Sequence, residues 1–370
     1  MNSRSEKAFL DVIKDLNKTH SKAAINKEDI VVGLLGDMNV DVERFSTGSF
    51  VLNSILGGGY PKGRIIEIYG PESSGKTTFA ITALAEVQKE GGNAVFIDAE
   101  QTFDPNYATN LGVDISKLGF SQSMIAENVL QLAIDLANSG EVDLIVIDSV
   151  ASLMTKADIE GGVEKQSMAT LARTMSRGLP VLAKVANDNK CTIIFLNQIR
   201  DKVGVMFGSP EGTPGGRALK FNASQRIEIR RSKIITDDDN KEEIGTEVRL
   251  KCVKNKVSKP FGIGHTVITF AEGVNVPAEL FTMSLELGIL EVEGRTYWYD
   301  SHGEIIEGLD NPAEDGRIKI ATSKAAALEE VVSNPTFMKV LQDDLDVALD
   351  KLNSQPRDLD PQVNELLSKG

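Results

Sequence analysis

The sequence predicts an α/β protein with a mostly parallel central sheet, an N-terminal helix and a small α+β C-terminal domain. Three observations carry that reading. Short apolar runs alternate with helical patterns through the middle of the chain, the signature of a parallel sheet covered by helices. A glycine-rich phosphate-binding pattern falls between one such run and the helix after it. Beyond residue 220 the runs follow one another without helices, as in strands added to a sheet edge.

Taken in order, residues 5–19 set Phe9, Val12, Ile13 and Leu16 on one stripe of an amphipathic helix. A less regular stretch leads to about residue 45. Arg64–Tyr69, Ala94–Asp98, Leu144–Asp148 and Thr192–Asn197 then read as buried strands, with helices near 76–90, 123–138 and 167–189. Pro180 interrupts the last of these, where an interior proline costs about 3 kcal/mol and bends a helix. Gln225–Arg230, Glu247–Val253 and His265–Phe270 are the later strands, and the acidic segment Thr236–Glu243 is the turn between the first two. The spacing predicts a core over residues 45–275 and a small domain over 276–354. In that domain Asn334-Pro335 caps a helix with stripe Phe337, Leu341, Leu345, Ala348 and Leu352. Residues 355–370 form a polar, acidic tail.

A chain of 370 residues has room for two or three domains, and its 41% hydrophobic content is that of a globular protein. No apolar run reaches the roughly 20 residues needed to span a bilayer, so no membrane partner is expected. Cys191 and Cys252 sit in apolar, strand-like surroundings without metal-ligand spacing, which fits reduced thiols in a cytoplasmic protein. The net charge of −14 excludes nucleic-acid binding by the whole surface, yet charge is segregated along the chain. Lys165, Arg173, Arg177, Lys184, Lys190, Arg200 and Lys202 face only Asp188 and Asp201 between residues 165 and 202.

The chemistry concentrates in Gly70-Pro71-Glu72-Ser73-Ser74-Gly75-Lys76-Thr77. The glycines let backbone N–H groups turn towards phosphate oxygens, and the following helix aims its positive end at the same anion. Lys76 then reaches the β- and γ-phosphates of ATP, and the Thr77 hydroxyl ligates Mg²⁺. Asp148, an acid ending a buried strand, is the natural water-mediated partner of that Mg²⁺. On its residues alone, Glu100 fits equally a turn former and a base for the attacking water, and Gln198 reads as a loop residue. Lys254 and Lys256 share one face of a strand, which is also where a solvated basic edge is found. The apolar, glycine-rich run Val203–Gly208 fits burial in a core or contact with nucleic acid.

These motifs together resemble the bacterial RecA recombinases. Gly70–Thr78, Ile97–Glu100 with Asp104-Pro105, Asp148-Ser149, Asn197–Arg200, Gly204–Gly208, Gly215-Gly216, Ala218–Phe221 and Val253–Lys256 fall in that family's order and spacing over roughly residues 44–275. The resemblance implies a DNA-dependent ATPase that forms a helical filament on single-stranded DNA and pairs it with homologous duplex DNA. It implies that Glu100 activates water, that Asp104 and Tyr107 help bind ATP with Tyr107 stacked on adenine, and that Gln198 senses the γ-phosphate. Lys254 and Lys256 reach the neighbouring protomer's ATP, Phe221 packs into that neighbour, and residues 1–44 serve oligomerisation. By the same resemblance, DNA would be held by Met168, Arg173, Ser176, Arg200, Lys202, Val203, Phe207 and the Gly215 and Gly216 amides. Gln101, Asp201 and Pro180 depart from the family pattern, the last where relatives carry a basic residue. The less similar flanks point to a divergent member of phage or otherwise atypical lineage. A hexameric helicase motor and a nucleotide-switched scaffold without DNA are the rival readings.

Overall fold

The computed structural model describes residues 6–20, 42–161, 168–201, 211–237 and 241–354. The chain divides into two compact units, Met1–Glu43 and Arg44–Gly370. The first contributes the helix Glu6–His20, on which Phe9, Val12 and Leu16 are exposed.

The second unit is built on a nine-stranded sheet. Its order is Gly273–Val274, Ile263–Thr269, Glu243–Asn255, Gln225–Thr236, Ile65–Gly70, Thr192–Gln198, Leu144–Asp148, Ala94–Asp98 and Gly119–Ser121. From Gln225–Thr236 to Gly119–Ser121 every pairing is parallel, and the three strands on the other side add antiparallel. Strand side chains alternate between faces, so each buried run feeds two cores. Ile66, Ile68, Phe96, Val146 and Leu196 join Phe79 and Leu84 of the helix Lys76–Lys89 on one side. Ile65, Ile97, Ile147 and Phe195 join Leu130 of Ala126–Asn138 and Leu179 of Met168–Asp188 on the other. Burial on both faces is why these strands read as continuous apolar runs.

Met168–Asp188 is one helix with Pro180 inside it. The proline lies on the exposed face while Leu179 and Leu182 beside it are fully buried, so packing outweighs the lost backbone hydrogen bond. In the small domain, Asn334 Oδ1 accepts from the Phe337 N–H and opens the helix Pro335–Ser354 as expected. Its buried stripe, however, runs Phe337, Leu341, Leu345 and Leu349, and Leu352 is exposed. Steps of four at 3.6 residues per turn drift slowly round a helix, so the buried stripe passes from Leu345 to Leu349 and leaves Leu352 on the outer side.

That domain combines the helices Val276–Glu286, Lys324–Ser333 and Pro335–Ser354 with a three-stranded antiparallel sheet, Leu290–Glu293, Thr296–Asp300 and Arg317–Ala321. Phe50, from the helix Phe50–Leu56 ahead of the large sheet, enters its core. Ser49 Oγ donates to Glu279 Oε1 at 2.8 Å across the same junction. Among the described residues no helix is long and apolar enough to cross a membrane.

Candidate nucleotide site and nucleic-acid face

Parallel strands bring their carboxyl ends to one edge, where open α/β sheets collect ligands. Gly70 pairs with Gln198, and Asp98 with Asp148, in the registers of that edge. The phosphate-binding loop, Asp148, Glu100 and Gln198 therefore converge although they are far apart in sequence.

The loop is shaped by close approach. A Cβ on Gly70 would lie 2.1 Å from the Ile229 carbonyl oxygen and 2.8 Å from Ser74 Oγ. Gly75, with φ +90, precedes the helix Lys76–Lys89 in a left-handed conformation. Ser74 Oγ is buried without a protein partner. Such a cradle, too tight for side chains and carrying an unmatched polar atom, fits a nucleotide phosphate. We expect Gly70→Ala to lower stability by about 1–3 kcal/mol through overpacking against backbone, read as a lower melting temperature.

Lys76 is almost fully buried, and its Nζ donates to the Pro71 carbonyl at 2.6 Å. Burial lowers its pKa, against the pull of Asp148, Glu100 and Glu72. Thr77 Oγ1 donates to Asp148 Oδ2 at 2.9 Å. Burial raises the Asp148 pKa to about 7, helped by Glu100 and Asp98 and opposed by the Thr77 hydrogen bond and Lys76. A hydroxyl beside a carboxylate, next to a phosphate cradle, is the hard-oxygen donor set that suits Mg²⁺. The Asp148 carbonyl accepts the N–H groups of Ala99 and Glu100, which ties the two strand ends together. Glu100 is exposed, and its Oε1 accepts from Gln198 Nε2 at 3.2 Å.

The adjoining cleft, about 370 Å³, is lined by Ser73–Thr78, Tyr107, Thr246, Ile268 and Phe270. Thr78 Oγ1 and Tyr107 Oη are 2.9 Å apart. Asp104 Oδ1 accepts from the Asn106 and Tyr107 N–H groups, capping the helix that carries Tyr107. Sequence reasoning missed Thr246, Ile268 and Phe270. The one signal for them was an aromatic at the end of a strand; the antiparallel additions bring it round to the nucleotide edge.

On the helix Met168–Asp188, Arg173 and Ser176 are exposed on one face. A Cβ on Gly216 would lie 2.8 Å from Ala172 Cβ, so the Gly215-Gly216 turn sits directly against this helix. Arg200 is exposed and begins the strand Arg200–Asp201, which pairs with Glu211–Gly212. Lys202, Val203 and Phe207 lie outside the described residues, as does the Met168 side chain.

A third cluster stands at another edge. Lys254 Nζ donates to the Lys220 and Phe221 carbonyls at 2.5 and 3.1 Å, and Lys256 Nζ to the Phe221 carbonyl at 3.0 Å. Both lysines thus cap the end of the helix Gly216–Asn222, and Phe221 on it is 69% exposed. Burial lowers the Lys254 pKa to about 8, and Lys256 and Arg226 add to the effect.

A family model for the RecA N-terminal domain matches residues 7–275. The chain is 43% identical over 361 residues to Protein RecA of Macrococcus caseolyticus, covering 93% of this chain and 100% of that one. It is 43% identical over 354 residues to Protein RecA of Staphylococcus carnosus, covering 89% and 97%. With the chromosomal Protein RecA of Lactococcus lactis subsp. lactis it shares 48% over 299 residues, 80% and 76% of the two chains. Identity of this order over most of both lengths makes the chain a member of the RecA family.

Proposed function

We infer that this chain is a DNA-dependent ATPase that assembles on single-stranded DNA and catalyses homologous pairing and strand exchange in recombination and repair. The observation that carries the reading is the Gln198–Glu100 hydrogen bond: a single residue joins the γ-phosphate edge to the segment that begins at Arg200. Nucleotide state and DNA grip then share a hinge.

In this reading, residues 45–275 are the motor, 1–44 an oligomerisation helix and linker, 276–354 an accessory domain and 355–370 an acidic tail. Gly70, Pro71, Glu72, Ser73, Ser74, Gly75 and Thr78 shape the phosphate cradle, and Lys76 neutralises the transferred phosphoryl group. Thr77 and Asp148 would hold Mg²⁺, which would supply charge neutralisation at the phosphates. Glu100 takes the proton of the attacking water as its oxygen bonds to phosphorus and the bond to the β-phosphate oxygen breaks. Gln198 reports the result to the DNA loop. Arg173, Ser176, Arg200, Lys202 and the Gly215 and Gly216 amides hold phosphates, while Met168, Val203 and Phe207 meet bases; sequence is left to base pairing. Phe221 enters the next protomer, and Lys254 and Lys256 reach its ATP. Two buried free thiols, Cys191 and Cys252, fit work in the cytoplasm.

In this reading adenine stacks against Tyr107 and Phe270, both of which line the cleft beside the phosphate loop. Phe270→Ala should weaken binding of a fluorescent adenine nucleotide by the stacking energy of about 1–3 kcal/mol, measured by equilibrium titration. For the function itself, ATP turnover is measured with and without single-stranded DNA, and assembly on a long oligonucleotide is imaged with Mg²⁺ and a non-hydrolysable ATP analogue. Stimulated turnover and filaments are expected. Turnover indifferent to DNA, with isolated subunits on the strand, would overturn the reading.

A further inference from the structure

A charged side chain lies in the middle of the sheet, and the site chemistry above makes no use of it. Glu67, on the strand Ile65–Gly70, is fully buried. Its Oε1 accepts from Asn197 Nδ2 at 3.0 Å, and its Oε2 accepts from Arg226 Nε. Asn197 is shared further. Its Nδ2 also donates to the Pro214 carbonyl at 3.1 Å, and its Oδ1 accepts from the Gln198 N–H at 3.0 Å. Arg226 stacks over the Tyr69 ring at 4.5 Å, and in the sheet registers it lies opposite Glu67 on one side and Lys254 on the other.

One row of polar groups therefore crosses the sheet. At one end Asn197 is adjacent to Gln198 and touches the turn into Gly215-Gly216. At the other end Arg226 stands beside Lys254, and both Arg226 and Glu67 act on the Lys254 charge, in opposite directions. Such a row is a poor source of stability, since apolar residues of similar volume commonly replace a buried ion pair at no loss. It fixes geometry, because each member has one arrangement that satisfies all its hydrogen bonds.

We propose that Glu67 is a positioning residue that couples the two nucleotide-facing edges of the protomer. Through Asn197 it holds the Gln198 backbone and the Pro214–Gly216 turn in one register. Through Arg226 it sets the placement of Lys254. Glu67 touches neither phosphate nor DNA; it makes the γ-phosphate sensor, the DNA-side turn and the lysine offered to the neighbour respond as a unit. This rests on the functional reading above and adds to it the internal path.

The test uses the full-length protein. Glu67→Leu with Arg226→Met removes both charges and keeps an apolar fill of similar volume. Arg226→Lys keeps a cation opposite Glu67. Melting temperature, nucleotide affinity of the free protomer and the ratio of ATP turnover with and without single-stranded DNA are measured for each. The double variant is expected to melt near the wild type and to bind nucleotide normally, with the DNA-stimulation ratio reduced at least about tenfold. Arg226→Lys is expected to retain the ratio within about threefold, as conservation of the charge pair requires.

A folded double variant stimulated as strongly as the wild type overturns the coupling role, because a merely structural pair would recover function with stability. Arg226→Lys losing the ratio as fully as a charge-free pair also overturns it. Should the double variant not fold, Glu67→Gln takes its place, with the same expected loss of the ratio, and a folded Glu67→Gln stimulated as strongly as the wild type overturns the coupling role. A wild type that DNA does not stimulate would instead overturn the underlying functional reading, a separate result.

Discussion

Lys254→Ala should abolish DNA-stimulated ATP turnover, with a fall of about 10³-fold or more, the range found when a cation supplied by a neighbouring subunit is removed. Binding of nucleotide by the free protomer should stay unchanged, because Lys254 belongs to a different edge of the sheet from Lys76. The contrast follows from placement. The Lys254 ammonium is held by two carbonyls at the end of the helix Gly216–Asn222, beside exposed Phe221, so it is presented outward and not to its own phosphate loop. Turnover titrated with mixtures of wild type and variant should fall in proportion to the interfaces that contain a variant lysine. A variant that hydrolyses ATP at the wild-type rate on DNA would sink the shared site.

The same lysine should make assembly sensitive to pH. Its folded-state pKa is lowered from 10.5 to about 8, by burial first and then by Lys256 and Arg226. Between pH 8 and 10.5 the unfolded chain holds this proton and the free folded protomer has lost it, so this group makes the fold more stable as pH rises through that window. In the proposed filament the phosphates of a neighbour's nucleotide would favour the charged form, so assembly would take up the proton again above pH 8. Light scattering should accordingly show nucleotide-dependent assembly weakening from pH 8 to 9.5. Lys254→Arg, which does not titrate there, should remove that slope.

The strands were legible in the sequence because the sheet's centre is buried on both faces. Ala94–Asp98 and Leu144–Asp148 are apolar up to their last residue, a buried aspartate in each. The phosphate loop was legible because its chemistry is contiguous: glycines, lysine and threonine are neighbours in the chain as well as in space. Edges were harder. Gln225–Thr236 runs well past Arg230, since Arg231 and Lys233 pair with the next strand on either side of an irregularity at Ser232 while all three side chains stay in water, and a run of polar residues carries no burial signal. Phe270 and Thr246 escaped for a different reason: only the antiparallel return of two strands brings them to the cleft. Glu67 was invisible because a single acid in an apolar strand has no local meaning; Asn197 and Arg226, its partners, lie 130 and 159 residues away.

Glu100→Gln separates binding from chemistry at the same site. The amide keeps the side chain's length and an oxygen able to accept from Gln198 Nε2, the contact now made at 3.2 Å. It removes the one proposed function that needs a carboxylate, uptake of the water's proton, which contributes about 10²–10⁴-fold in enzymes that use it. The neighbours respond in a direction that favours holding the nucleotide. Glu100 raises the pKa of buried Asp148, which stands at about 7, so removing its charge makes Asp148 easier to ionise. Any loss of turnover therefore cannot be assigned to a weaker grip on phosphate or metal. The variant should bind ATP at least as well as the wild type, assemble on single-stranded DNA and remain there, with single-turnover hydrolysis slowed about 10²–10⁴-fold. Rapid quench on preassembled filaments measures this. Hydrolysis within about tenfold of the wild type would mean that another group activates the water, and Glu100 would be left as the anchor of Gln198 alone.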